Sequence, residues 1–418
     1  MSIWHVNGGN RLFGTAFVQG SKNAALPIMA ASVLCGAKTE LMNVPCIADV
    51  GNTLRILRNL GCTAEMDGER VYIDSAGLTS CTIPPEMMEG MRSSVIFLGA
   101  LLARCGEARV SLPGGCNLGA RPIDLHLAAL RAMGAGIEED GADIVCKCPD
   151  GLRGAEIEFP MPSVGATENA MLAACAAKGE TVIRGAAREP EIVDLQEFLR
   201  CMGAYISGAG SDTITISGFE PEKNAGYRIM PDRIVCATLM CAAASAGGDV
   251  ELRGVTPAHF STVTHLLNAG GCDIITGERS VRLHSDGKLR GVGSVSTGPY
   301  PGFPTDAQPL LMAALAKSKG RTEFTENIFE NRYRHVPELI RMGADIAVSG
   351  KIAAVWGADS LHGAAVSSAD LRAGAALIVA GLGAEGETVI ADEGHIVRGY
   401  DRFEARLRSL GADIWMEQ

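Results

Sequence analysis

Four short stretches of this chain combine residue types able to move a proton or hold an anion. The first, Gly20-Ser21-Lys22-Asn23-Ala24-Ala25-Leu26-Pro27, opens an Ala-rich helix. The free N–H groups and dipole of a helix N-terminus favour an anion, and Lys22 adds a full charge. The same residues also fit an ordinary helix capped by Ser21. The second runs Leu112-Pro113-Gly114-Gly115-Cys116-Asn117-Leu118-Gly119-Ala120-Arg121-Pro122-Ile123-Asp124. A loop of this kind can close over a ligand. Cys116 lies there beside a cation, in surroundings that make a thiol reactive, or it is an incidental surface cysteine. In the third, Tyr300-Pro301-Gly302-Phe303-Pro304-Thr305-Asp306-Ala307-Gln308, Asp306 is either a helix N-terminal carboxylate or a general base. The fourth is a set of arginines, Arg92, Arg332, Arg372 and Arg398, joined by Arg121. Guanidinium groups bind carboxylate and phosphate bidentately, though each taken singly also reads as a surface charge.

The elements that must position these residues repeat six times. An amphipathic helix ends at Gly61, Gly134, Gly203, Gly271, Gly343 and Gly411, at spacings of 73, 69, 68, 72 and 68. Gly just past a helix takes the left-handed cap conformation without a Cβ penalty. A second series of Ala-rich helices is read as ending at Gly36, Gly106, Gly179, Gly248, Gly320 and Gly386, each followed by a strand. Helices apolar on nearly every face, such as Ile234–Ala246, should be buried. Three units per domain would pack three such helices together with sheets outside. The boundary between the third and fourth units falls near Tyr227–Pro231, and the N-terminal strand should return to complete the last unit.

A chain of 418 residues suits two domains of roughly 200 residues each. With 47% hydrophobic, 20% charged and only 5% aromatic residues, the cores must be built from Ala, Leu, Ile, Val and Met. The net charge of −11 speaks against general nucleic-acid binding, so an anionic substrate needs local cations. Thirteen cysteines, with Cys35, Cys175, Cys236 and Cys241 read as buried thiols, suggest a reducing cytoplasm. No secretory leader is expected at Met1-Ser2-Ile3-Trp4-His5-Val6. The apolar run Ile234–Gly248 is shorter than the ~20 residues of a bilayer span. Cys146 and Cys148 have no matching second pair, so no metal is expected.

Together the motifs resemble the UDP-N-acetylglucosamine 1-carboxyvinyltransferase family of enolpyruvyl transferases. The resemblance runs from about Val6 to Ile414. It rests on Gly20–Pro27, Leu112–His126, Ser163-Val164-Gly165-Ala166-Thr167, Ala187–Asp194, Phe303–Asp306, Phe329-Glu330-Asn331-Arg332 and Asp370-Leu371-Arg372-Ala373. It implies a two-domain inside-out α/β barrel of six βαβαββ repeats, three per domain. Residues 1–20 plus 231–418 would form the domain carrying Asp306 and Arg398, and 21–230 the domain carrying the Cys116 loop. It further implies that phosphoenolpyruvate and UDP-N-acetylglucosamine bind in a cleft that closes between the domains. The sugar 3-hydroxyl adds to phosphoenolpyruvate and phosphate is then eliminated, the first committed step of peptidoglycan synthesis.

By the same resemblance, Cys116 is the general acid on the mobile loop and the fosfomycin target, and Asp306 is the base. Lys22, Asn23, Arg121, Arg332, Arg372 and Arg398 match phosphoenolpyruvate-side positions. Arg92, Arg121, Pro122, Ile123, Asp124, Leu125, Met161, Pro162, Ser163, Val164, Asp306 and Ile328 match contacts to the nucleotide sugar. One departure stands out: Met161-Pro162 occupies a segment where the family often has a lysine, one cation fewer near the diphosphate. No cofactor, nucleic-acid or membrane partner is implied, and no oligomeric state is assigned. The competing readings are the sister transferase acting on shikimate 3-phosphate, which shares the fold, and a non-catalytic UDP-sugar-binding paralogue. The joint presence of Lys22, Cys116, Asp306 and Arg398 argues against the paralogue.

Overall fold

All six glycines of the first series take the left-handed backbone that only glycine adopts freely, with φ of 98°, 94°, 102°, 106°, 96° and 97° from Gly61 to Gly411. At five of them the residue after the glycine donates its N–H to the carbonyl five positions back. These are Cys62 to Leu57, Ala135 to Leu130, Cys272 to Leu267, Ala344 to Leu339 and Ala412 to Leu407, at 3.0 to 3.1 Å. That is the Schellman closure, which satisfies carbonyls a helix end would otherwise leave open. The second series behaves differently. Gly106 is a left-handed cap directly after Phe97–Cys105, but the cap of Arg233–Ala246 is Gly247 rather than Gly248. The Lys22–Ala31, Val164–Ala174, Gln308–Leu315 and Leu371–Leu382 helices stop several residues before Gly36, Gly179, Gly320 and Gly386. Those glycines have φ of 61°, 96°, 99° and 84°; they turn the chain toward the next strand instead of capping the helix.

The computed structural model describes residues 2–88, 92–111, 123–141, 143–220 and 224–417. The chain divides into two compact units. One takes the described residues of Met1–Gln19 and Pro231–Gln418, the other those of Gly20–Cys116 and Arg121–Met230. The described strands form six four-stranded sheets. In each, one parallel pair at an edge is followed by two antiparallel pairings.

In the first unit the N-terminal segment supplies two strands. Ser2–Asn7 inserts between Glu387–Asp392 and Asp413–Glu417 in the sixth repeat. Leu12–Phe17 pairs in parallel with Gly248–Arg253 in the fourth. The helices Arg233–Ala246, Gln308–Leu315 and Leu371–Leu382 pack on one another in pairs, with strands against Arg233–Ala246 and Leu371–Leu382. Every residue from Ile234 to Ser245 is buried, as expected of a helix apolar all round.

In the second unit Asn224–Arg228 returns to pair in parallel with Lys38–Met42. The Phe97–Cys105 helix packs against both Lys22–Ala31 and Val164–Ala174. Gly99 makes the closer approach possible: a Cβ there would overlap the Asn169 carbonyl, and its N–H donates to Asn169 Oδ1 at 2.6 Å. Cys175, Cys236 and Cys241 are buried, whereas Cys35 is half-buried, because the chain past Ala31 leaves the helix core in a run of turns.

A Cβ at Gly134 would meet no atom within 4 Å, so substitution there isolates the backbone term. Gly134→Ala is expected to destabilise by about 1–2 kcal/mol, the cost of a left-handed L-residue. It should lower the urea midpoint without changing the slope; an unchanged midpoint would contradict the assignment.

Candidate active site

In the first unit the buried helices begin at aspartates. Asp232 Oδ1 accepts the N–H groups of Ile234 and Val235 at 2.8 and 3.0 Å. Asp370 Oδ1 accepts those of Arg372 and Ala373 at 2.9 and 3.0 Å. Both are N-caps. The third helix, Gln308–Leu315, is entered through a 3-10 turn, Thr305–Ala307, that carries Asp306. Its carboxylate faces two arginines. Arg332 Nη2 donates to Oδ1 at 2.6 Å, and Arg372 reaches Oδ2 through Nε at 3.1 Å and Nη2 at 3.0 Å.

Both arginine side chains are almost wholly buried, at 1% and 5% exposure, while the Asp306 side chain keeps 29%. Arg332 is fixed further by Nε and Nη2 bonds to the Thr305 carbonyl at 3.0 and 2.9 Å and lies over the Phe329 ring. Burial works against the charge of Arg372, but Asp306, Tyr400 and Asp232 more than offset it and hold the guanidinium above its ordinary value. Beneath Arg332, His335 sets Nδ1 3.2 Å from the Arg332 carbonyl, and burial pushes its ring down to about 4. A neutral imidazole therefore supports the pair without adding a third positive charge.

Glu326 ties Ile328 to the same turn. Its carboxylate accepts the Ile328 and Phe329 N–H groups at 2.8 and 3.0 Å and the Thr305 hydroxyl at 3.0 Å. Arg398 ends a short turn, Ile396–Arg398, anchored by Asp392, whose carboxylate accepts the N–H groups of His395 and Ile396.

In the second unit Ser21 caps the Lys22–Ala31 helix by accepting the Ala24 N–H, so the capping reading holds; Lys22 begins that helix and Asn23 follows, half-buried. Lys22 Nζ lies 3.1 Å from Asp49 Oδ2, whose side chain is 2% exposed. The two side chains form a largely buried ion pair.

Ile123, Asp124 and Leu125 stand at the start of the Asp124–Ala132 helix. Met161 is 60% exposed, Pro162 is exposed, and Ser163 caps the Val164–Ala174 helix. His126 joins these two segments. Its ring lies against Gly165, where a Cβ would come within 3.0 Å of Cε1. Asn169 Nδ2 approaches His126 Nδ1 at 2.8 Å and the Val95 carbonyl at 2.9 Å, while Asn169 Oδ1 accepts the Gly99 N–H. The amide orientation is thereby set, His126 Nδ1 is an acceptor, and Nε2 carries the proton.

Cys116, Arg121 and Pro122 lie outside the described residues, as does the side chain of Arg92, whose backbone belongs to the Arg92–Ile96 turn. The structure thus joins Asp306, Arg332 and Arg372 in one unit. In the other it joins the Ile123–Leu125 and Ser163–Val164 segments.

Sequence comparison decides the family. The family model for EPSP synthase (3-phosphoshikimate 1-carboxyvinyltransferase) matches residues 6–407. UDP-N-acetylglucosamine 1-carboxyvinyltransferase of Zymomonas mobilis is 48% identical, over 98% of both chains. UDP-N-acetylglucosamine 1-carboxyvinyltransferase 2 of Caldanaerobacter subterraneus is 45% identical, over 99% of both. The chain belongs to the enolpyruvyl transferase family.

Among solved structures, the enolpyruvyl transferase NikO from Streptomyces tendae matches with a TM-score of 0.88 at 26% identity, over 99% of this chain and 98% of that one. EPSP synthase from Acinetobacter baumannii matches over the whole of both chains with a TM-score of 0.77 at 22% identity, a likeness of fold. The two-domain inside-out α/β architecture is that of these enolpyruvyl transferases.

Among the described residues no helix is long and apolar enough to cross a membrane, and no group of three or more His, Cys, Asp or Glu could hold a metal ion. Sequence reasoning did not find Asp49, Glu326, His335 or Tyr400, partners of family-matched residues, or Thr238, the partner of Tyr400. Asp49, Tyr400 and Thr238 act through contacts distant in the chain, which no local motif marks, whereas Glu326 and His335 also bond to Ile328 and Arg332 close by.

Burial also pushes His126 down to about 4. A histidine of ordinary pKa ≈ 6.5 in the unfolded chain then binds fewer protons when folded. Its contribution to stability is complete above about 6.5 and is lost as pH falls toward 4. NMR of imidazole-labelled protein should show the Nε2–H tautomer and no titration of His126 between pH 5.5 and 8, while a midpoint near 6.5 would contradict the buried Asn169-bound geometry.

Proposed function

We propose that the chain transfers the enolpyruvyl group of phosphoenolpyruvate to the 3-hydroxyl of UDP-N-acetylglucosamine, releasing phosphate. The observation that carries this reading is Asp306 held between two buried guanidiniums, in a chain 48% identical to an enzyme of that name over nearly its full length.

Each oxygen of a carboxylate can accept more than one hydrogen bond. Asp306 can therefore take the proton of the sugar 3-hydroxyl as its oxygen forms a bond to C2 of phosphoenolpyruvate. The π pair of the C2–C3 bond takes a proton at C3, supplied in this reading by Cys116. In the elimination the bond from C2 to the phosphate oxygen breaks, C3 returns a proton to the Cys116 thiolate and the double bond returns.

Lys22, Asn23, Arg121 and Arg398 surround the phosphate, and Arg332 and Arg372 take the phosphoenolpyruvate side. Preorganised cations of this kind stabilise charge developing in the transition state. Arg92, Arg121–Leu125, Met161–Val164, Asp306 and Ile328 hold the nucleotide sugar. The exposed thioether of Met161 offers it no cation, so diphosphate contacts rest on the arginines. The product would enter peptidoglycan synthesis in the cytoplasm, and with it cell shape and division. Fosfomycin would alkylate Cys116.

Phosphate release from phosphoenolpyruvate, measured with each acceptor, tests the reading. Release is expected with UDP-N-acetylglucosamine and not with shikimate 3-phosphate. The reverse would assign the sister reaction, and release with neither would leave a non-catalytic UDP-sugar binder.

A further inference from the structure

Arg372 has one donor edge that does not face Asp306. Its Nη1 donates to the Tyr400 hydroxyl at 3.1 Å. That hydroxyl lies 2.9 Å from Thr238 Oγ1, and Thr238 Oγ1 donates to the Ile234 carbonyl at 2.8 Å. Thr238 has a single hydroxyl proton and spends it on Ile234, so Thr238 must accept from Tyr400. The bonds then run in one direction: Arg372 to Tyr400 to Thr238 to the first turn of the Arg233–Ala246 helix.

Tyr400 and Thr238 are 3% and 0% exposed. The Tyr400 ring lies 5.6 Å from the guanidinium carbon of Arg372 and stacks on Phe403 at 4.5 Å. Burial holds the phenol above its ordinary value despite the neighbouring cation, so the hydroxyl keeps its proton. A guanidinium is planar, and its donors form a rigid fork. Fixing Nη1 therefore fixes the direction of the Nε and Nη2 edge that meets Asp306.

We propose that Tyr400, held by Thr238, is a positioning residue that sets the plane of Arg372 for phosphoenolpyruvate. The inference rests on the proposed function, since Arg372 is there assigned to that substrate. It goes beyond it in tying substrate affinity to two buried residues that touch no substrate. The ring of Tyr400 packs the core; its hydroxyl aims the cation.

Steady-state phosphate release with UDP-N-acetylglucosamine as acceptor tests the inference. Tyr400→Phe keeps the ring and removes the hydroxyl. A hydrogen bond to a charged group is worth roughly tenfold or more in an equilibrium, so KM for phosphoenolpyruvate should rise about tenfold. KM for UDP-N-acetylglucosamine should stay within about twofold of the parent, a split that a merely structural role would not produce. Thr238→Val, which never touches Arg372, should shift the same constant in the same direction by less.

Arg372→Lys should abolish the effect of Tyr400→Phe, because the hydroxyl acts only through the guanidinium fork, and a double-mutant cycle reads that coupling directly. Additive losses, or equal changes in both KM values, would overturn the inference. So would Tyr400→Phe kinetics matching the parent, even if the melting temperature fell. If the parent itself releases no phosphate, it is the proposed function that fails, and the two failures are distinguishable.

Discussion

Two guanidinium ions sit in an almost dry interior because one carboxylate stands between them. Removing a charge from water costs several kcal/mol per ion even after relaxation, and Arg332 and Arg372 both bear that cost. Their position adds to it. Arg372 lies in the first turn of a buried helix, where the dipole presents partial positive charge. Asp306 offsets both terms, and it does so from a short turn at the head of a second buried helix. The aspartate caps at Asp232 and Asp370 supply further negative charge at the neighbouring helix starts. The fold of this unit brings helix heads, caps and arginines together.

The surrounding residues can be understood from that constraint. The Thr305 carbonyl and the Phe329 ring share the charge of Arg332, the Tyr400 hydroxyl and ring share that of Arg372, and His335 is kept neutral by burial. Glu326 fixes the loop carrying Ile328 to the turn carrying Asp306.

The repeat was legible because its glycines answer a backbone requirement. At Gly61, Gly134, Gly203, Gly271, Gly343 and Gly411 the chain needs a left-handed residue, so the requirement leaves the same letter six times. The second series was legible as a period but misread as caps. A glycine in sequence marks a turn without saying whether the helix ends before it, and four of these helices stop several residues earlier. At the site, Asp306, Arg332 and Arg372 were singled out, yet each alone read more readily as a helix carboxylate or a surface charge. The structure adds their mutual contact across 26 and 66 residues of chain, which no local motif carries. Tyr400 and Thr238 lie 162 residues apart, and neither letter in its local setting signals a hydrogen bond to the other.

The central claim is that Asp306 is a base and not only the counter-ion that makes two buried arginines tolerable. Turnover, KM for phosphoenolpyruvate and UDP-N-acetylglucosamine affinity of a purified, folded Asp306→Asn variant separate the two roles, because loss of the counter-ion alone would disturb the two arginines and raise that KM. An amide keeps the size and some hydrogen bonding but accepts no proton at neutral pH. The account predicts turnover lower by ~10²–10⁴-fold, the usual worth of a general base, with sugar affinity little changed. Turnover within a few-fold of the parent would contradict it.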